Sequence, residues 1–426
     1  MTKTMELGVE EFIDGLLTEE ALRQPSDNVK PEDTGMRIPE WFDEKKYNRG
    51  RKFYWDHCFF FSSSMLMGLI AVFAIPSIIR VLVGSRRSNS LYTSYKRYLS
   101  TLLHTVSWFE YDLKPGSVSW NSLMTVRSRH FRAGAAAQIK GQGIVSQRDL
   151  ALTQFGFVGF SLLKPDKFGI CQRNDDDWEA YNHFWRVIGH AIGLEDKYNI
   201  CRPTVDETRE VCQILLDRVF TPCLENVPEY FEHMARAMLD GQTTINPTIH
   251  IEGMLYWTKY LANVPGYYYT EEERIDLQKR IKKQLKGKSS DIGVDSTSLI
   301  EKCAIEGLPE RSPRLLYLRD YNTLETSPAY KSLDKAGKSK LAFYYISTKI
   351  YTTWWGRWYF NLNFKFSLLL MKYLPFLSFF RYGIRASYVN IFCEDPVDDV
   401  EPKTNAEYYK TKPPVPWYRE LWSLIW

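Results

Sequence analysis

The sequence predicts an all-α protein, and three observations carry that expectation. Between residues 90 and 260, apolar side chains recur at helical spacing with few β-branched runs. Capping residues stand where such helices would begin and end: Ser146-Gln147-Arg148-Asp149 is a Ser-x-x-Asp start pattern, and Asp177 and Gly193 bracket another helical stretch. The 22 residues 58–79 carry no charge, the length of one long apolar helix. With 426 residues, the chain can build one large or two ordinary domains around a sizeable core. No internal repeat is visible.

Taken in order, residues 1–45 are acidic and polar, broken by Pro25, Pro31 and Pro39, and read as a loosely ordered leader. Residues 46–89 hold the uncharged run. It is long enough to span a bilayer, which takes roughly 20 apolar residues. Ser62 to Ser64 and Pro76 weaken that reading, and basic residues on both sides set no orientation. A helix apolar all round because it is buried in a large core is the competing reading. Residues 90–265 form the helical core. Residues 266–340 read as a charged helix (271–291, dense in Glu, Lys and Arg) and loops. Residues 341–394 read as aromatic-rich helices, a packing element or an interfacial anchor, with Lys372 and Pro375 interrupting the apolar run. Residues 395–426 form a tail rich in Pro, acids and Trp.

Composition excludes several classes. Hydrophobic residues at 44% and charged residues at 25% rule out collagen-like, disordered and disulfide-knot chains. The balance of 55 Lys and Arg against 51 Asp and Glu is too close to neutral for a nucleic-acid binder. Aromatic residues reach 15%, which suits a large apolar cavity, a membrane interface or a thick core. Cysteines at 58, 171, 201, 212, 223, 303 and 393 form no CxxC pair, so zinc-ribbon and thioredoxin-like readings lose support. The start, MTKTMELGVEEFIDG, has no apolar run of the signal-peptide kind, and Pro247 blocks the Asn246-Pro247-Thr248 glycosylation candidate. Together these favour a chain facing the reducing cytosol.

Three helices carry distinctive polar stripes. Over 95–109, Arg97, Ser100, Thr101, His104 and Trp108 fall opposite Leu99, Leu102, Leu103 and Val106. Over 120–137, Arg127 and His130 are one turn apart with Arg129 between them, followed by a run of small residues. Over 177–193, His183, Arg186 and His190 oppose Trp178, Tyr181, Trp185, Ile188 and Ile192. Any one such stripe is ordinarily a wetted helix face, and a lone histidine is ordinarily satisfied by a carbonyl. HExxH, GxSxG, Walker-A and dinucleotide-binding patterns are absent, which leaves hydrolase, nucleotidase and dehydrogenase readings without residues.

In order, the segments Arg97-Tyr-Leu-Ser100-Thr101, Arg127-Ser-Arg129-His130, 144–153 (IVSQRDLALT) and 179–193 (EAYNHFWRVIGHAIG) form a motif set. The chain resembles the ER-bound oxygenase MpaB / rubber oxygenase (latex-clearing protein) catalytic-domain family over about residues 60–260. The resemblance implies a large, globin-reminiscent all-α fold holding a b-type haem. It implies His130 as the proximal iron ligand, with Arg97, Ser100 and Thr101 matching the distal Arg-x-x-Lys-Thr motif. Serine replaces the lysine at Ser100, and no acid lies between 57 and 109, so chemistry identical to rubber cleavage is not expected. His104, one turn beyond Thr101, is the replacement distal ligand on this reading, and Arg127 suits a propionate or a structural carboxylate. No role is implied for His183 and His190. The resemblance implies an oxygenase attacking a C=C bond of an isoprenoid or other lipid-like substrate, with dioxygen as partner. A haem-binding sensor or electron-transfer protein, or a membrane-associated scaffold without cofactor, are the alternatives. The location implied is the endoplasmic-reticulum membrane facing the cytosol, with a soluble cytoplasmic chain as the alternative.

Overall fold

The computed structural model describes residues 8–171, 174–246, 248–264, 266–267, 294–295, 315–316 and 324–409. The helices are α1 (Val9–Leu16), α2 (Glu19–Arg23), α3 (Pro31–Thr34), α4 (Glu44–Asp56), α5 (Cys58–Val72), α6 (Pro76–Gly84) and α7 (Leu91–Glu110). They continue as α8 (Val118–Ile139), α9 (Gln147–Leu163), α10 (Asp175–Ala191), α11 (Val205–Leu215), α12 (Thr221–Glu225), α13 (Phe231–Thr243) and α14 (Ile251–Leu261). Then follow α15 (Pro328–Lys331), α16 (Lys335–Tyr351), α17 (Trp354–Tyr373), α18 (Phe376–Tyr382), α19 (Ile384–Ser387) and α20 (Asn405–Tyr409). Apart from a two-residue antiparallel pair, Val294–Asp295 with Leu315–Leu316, the described chain is helical, as its sequence predicts.

Side-chain caps fix the long helices. Ser90 and Thr93 close a reciprocal capping box at the start of α7, and Ser117 accepts from the Trp120 amide at the start of α8. Ser146 accepts from the Asp149 amide at 3.0 Å, the start its sequence signals. α10 begins two residues before the expected Asp177, where Asn174 caps and Asp175 to Asp177 face the positive helix end.

The uncharged run does not form one rod. It breaks at Phe73–Ile75, and Pro76 opens α6. Among the described residues, no single helix is long and apolar enough to cross a membrane; α4 and α5 together pass that test only as a pair bent by 94°. The core accounts for the apolarity: Phe60, Phe61, Met67, Ile70 and Val72 are buried. Burial of each such side chain contributes roughly 2 kcal/mol. A Cβ on Gly68 would lie 1.8 Å from the Gly156 carbonyl oxygen, so the α5 and α9 backbones meet in direct contact. Ring stacking of Tyr54 on Phe109 at 3.7 Å and of Phe109 on Phe184 at 4.2 Å ties α4, α7 and α10 together.

Two expectations differ from the structure. Residues 8–45 are packed, not loose: Phe12, Ile13 and Leu16 are buried, and Arg202 lies over the Phe12 ring at 4.6 Å. The prolines read as breakers sit at helix starts and between helices, where they shape the path without preventing burial; Pro31 opens α3. Lys372 does not interrupt α17. It lies in the last turn and pairs with Glu110 at 2.7 Å, and the helix stops just before Pro375. The charged 271–291 segment and residues 410–426 lie outside the described residues.

Candidate functional site

α7 presents two different arcs to two different neighbours. At about 100° per residue, Ser100, His104 and Arg97 span an arc of about 60°, and Thr101, Thr105, Tyr98 and Leu102 occupy the adjoining arc of about 100°. The first arc meets α8 through polar contacts. The second lines a cavity of about 540 Å³. Thr101 stands at the seam, its hydroxyl donating to the Arg97 carbonyl at 3.0 Å.

On the polar side, His104 is buried with both ring nitrogens engaged. Arg129 Nη1 lies 3.2 Å from His104 Nε2, and Ser122 Oγ lies 2.7 Å from Nδ1. A guanidinium only donates, so Nε2 accepts and Nδ1–H donates to Ser122. Ser122 Oγ also receives the Trp108 indole N–H at 2.8 Å. Burial pushes the His104 pKa down to about 3, helped by the Arg129 charge. The expectation of His104 as a sixth ligand therefore meets an imidazole with no lone pair to offer. Trp108, expected on the polar stripe, is likewise buried in the core with its N–H satisfied.

His130 is the complement of His104. It is a neutral imidazole, its pKa pushed down to about 4 by burial first and then by the Arg97 and Arg129 charges. Its Nδ1 is buried and has no hydrogen-bond partner. Leaving a buried polar atom unpaired costs roughly 1–3 kcal/mol; His57 Nδ1 shares this condition, but of the two only His130 has Arg97 and Arg129 as charged neighbours. Arg97 is half-buried beside it, bonds Ser85 Oγ at 3.0 Å, and makes no ion pair among the described residues.

The remaining candidates are placed elsewhere. Ser100 accepts from Arg129 at 3.4 Å. Arg127 pairs through Nε and Nη2 with Asp27, at 3.1 and 2.5 Å, so the carboxylate it suits is a structural one. His183 Nε2 accepts from the Asp43 amide at 3.0 Å, and His190 Nδ1 lies 3.0 Å from Asp196. Trp41 packs between those rings under the Arg186 guanidinium, so this stripe latches the N-terminal region to α10.

Sequence reasoning missed the strap that covers the polar side. Arg129 donates to the carbonyls of Ile391, at 3.0 Å, and Cys393, and lies 3.8 Å from Asp395. Glu394 pairs with Arg87 at 3.0 Å and Arg132 at 2.9 Å. The signal was present as an acidic cluster (Glu394, Asp395, Asp398, Asp399) more than two hundred residues from the arginines it meets. The cavity was missed too. Leu66 and Leu69 of α5, Met238 of α13, Ile346 of α16, and Phe360 and Phe364 of α17 enclose it. Its size is that of a small-molecule pocket.

Over 209 residues the chain is 25% identical to a rubber oxygenase from Streptomyces sp. (strain K30). The sequence is similar to a rubber oxygenase. The match covers 45% of this chain and 48% of that protein, so the chain spans about half the length of this curated relative. A solved structure of latex clearing protein LCP in the closed state aligns with a TM-score of 0.44 at 17% identity, over 78% of this chain and 84% of that one. No family model matches. The sequence similarity is to the rubber-oxygenase side of the family resemblance; the endoplasmic-reticulum side gains no support from it.

The residues present fit a haem at one point. His130 supplies a neutral imidazole with an unpaired buried nitrogen, the donor that haem iron takes. The distal motif is altered: Ser100 and His104 both bond Arg129.

Proposed function

We propose that the chain is an oxygenase that attacks a C=C bond of an apolar, isoprenoid-like substrate, using a b-type haem held by His130. The single observation that carries this reading is the buried, unpaired Nδ1 of the neutral His130 imidazole beside Arg97 of α7, a helix whose other arc lines the apolar cavity. Similarity to a rubber oxygenase supports the reaction class.

When bound, haem supplies the oxygen chemistry. The chain's own residues do the rest. His130, held neutral, would hold the haem iron through its imidazole. Arg97 offers the guanidinium donors left over from Ser85 to an anionic group at the rim of the cluster. The largely apolar cavity wall beside Thr101 suits an apolar chain.

The test is the ultraviolet–visible spectrum of the purified protein, as isolated and after dithionite and carbon monoxide. A Soret band that shifts with carbon monoxide and is lost in His130→Ala is the expected result. Stoichiometric haem in the folded His130→Ala variant would overturn the assignment. A second reading, haem binding without turnover, is favoured by Arg129 occupying both Ser100 and His104. It predicts the same spectrum with no oxygen consumption in the presence of unsaturated isoprenoids.

A further inference from the structure

α17 has apolar residues on two faces, and the protein covers one of them. Gly356, Asn361, Leu368 and Met371 are buried. Trp354, Trp358, Leu362, Phe366, Leu369 and Tyr373 recur every three or four residues and so form one stripe. That stripe is open: Trp354 is 76% exposed, Trp358 62%, Phe366 58% and Tyr373 71%. Phe343 and Ile346 of α16 and Phe380 and Ile384 further on are exposed as well. Scattered exposed apolar residues are ordinary; a stripe along a helix about 30 Å long marks a surface that meets another apolar phase.

The charge pattern says which phase. Residues 335–393 contain nine Lys and Arg and no Asp or Glu. Lys372 and Arg381 are matched by Glu110 and Asp240 from other elements and Lys335 is engaged as well, which still leaves the region with an excess of cations. Tryptophans beside cations on an otherwise apolar helix are the composition of an in-plane membrane helix facing anionic headgroups. The same region also walls the cavity: Phe343, Ile346, Trp355 and Tyr359 are exposed at the surface and line its interior.

We propose that the exposed face of α16 and α17 docks on an anionic lipid bilayer, with Trp354 and Trp358 at the headgroup level. The Trp355–Tyr359 wall of the cavity then faces the lipid. This docking is independent of the haem reading, since it uses none of the residues around His130.

The experiment is co-sedimentation of the full chain with phosphatidylcholine vesicles, with and without phosphatidylserine, alongside tryptophan quenching by brominated lipid. The chain is expected to pellet with the phosphatidylserine vesicles, to release at high salt and to show quenched fluorescence. The pair Trp358→Ser and Phe366→Ser should weaken binding by more than about tenfold. Lys349→Glu, at an exposed position of α16, should weaken it on phosphatidylserine vesicles alone. All three wild-type side chains are exposed, so unchanged far-ultraviolet dichroism is expected in the variants. Should a variant unfold, quenching of the wild type by brominated lipid decides by itself. Failure of the wild type to bind phosphatidylserine vesicles overturns the proposal, as does binding indifferent to the substitutions. A wild-type dimer that Trp358→Ser dissociates also overturns it, assigning the face to a second copy of the chain.

Discussion

Arg129 Nη1 lies 3.2 Å from His104 Nε2, and through its other terminal nitrogen the same guanidinium holds the Ile391 carbonyl at 3.0 Å. One side chain thus sets the tautomer of a buried histidine on α7 and fastens the acidic strap over α8. Arg129→Ala removes both functions at once. It should lower the unfolding free energy by about 2–3 kcal/mol, the range for losing charge-assisted hydrogen bonds. It should also free His104 Nε2, raising its pKa from about 3, because a neighbouring cation is gone. Urea unfolding and an imidazole titration by nuclear magnetic resonance read the two effects. An unchanged unfolding midpoint would show that the strap is held without Arg129.

Acid sensitivity follows from the same kind of burial. His57, His130 and His183 are held down to about 4 and His104 to about 3, in each case chiefly by burial. All four are neutral in the fold, while the unfolded chain takes up protons near pH 6.5. The unfolded state therefore binds more protons between about pH 6.5 and pH 4, and stability falls as pH is lowered through that window. Each group contributes up to about 1.4 kcal/mol per pH unit there. The denaturant midpoint should be flat from pH 8 to pH 7 and drop steeply below about pH 6. A midpoint constant down to pH 5 would mean that these histidines are protonated in the fold.

The pair Arg127–Asp27 separates a structural role from a cofactor role. Both side chains are largely shielded, 17% and 8% exposed, and burial pushes the Asp27 pKa up against the pull of Arg127. Asp27→Ala strands a buried guanidinium and should cost about 3–5 kcal/mol. Haem content per folded molecule should stay unchanged if Arg127 serves Asp27. A selective loss of haem in Asp27→Asn at unchanged stability would point to Arg127 as a cofactor contact instead.

The fold class was legible because helix signals are local. Ser146 caps where hydroxyl and spacing say it should, and Leu99, Leu103 and Val106 of α7 went inward. The fate of residues 58–79 was not legible. An uncharged run looks the same whether lipid or protein surrounds it, and the packing of α5 on α9 at Gly68 and Gly156 spans two distant segments. The site shows the same division. The polar stripe of α7 was visible at helical spacing. That Arg129, and not Arg127, would turn toward it depends on Asp27 and on carbonyls near residue 391, which no local pattern reveals.

Cavity size gives a last prediction that does not depend on the cofactor. Met238 is fully buried on α13, which packs against α7, and lines the cavity. Met238→Trp adds bulk to that wall, and the ring has open volume to enter, so the usual overpacking cost of about 1–3 kcal/mol should be partly avoided. Diphenylhexatriene, an apolar polyene, brightens when it leaves water and suits a cavity lined mainly by apolar side chains. Its binding to the wild type should be saturable, and Met238→Trp should weaken it by about tenfold or more, which corresponds to about 1.4 kcal/mol. Trp358→Ser, on the outer face of α17, should leave the affinity within about twofold while changing vesicle binding. If Met238→Trp binds the probe as the wild type does, the probe sits on the exposed aromatic stripe and the cavity is not the apolar site. If both substitutions weaken it equally, stripe and cavity act as one continuous apolar path.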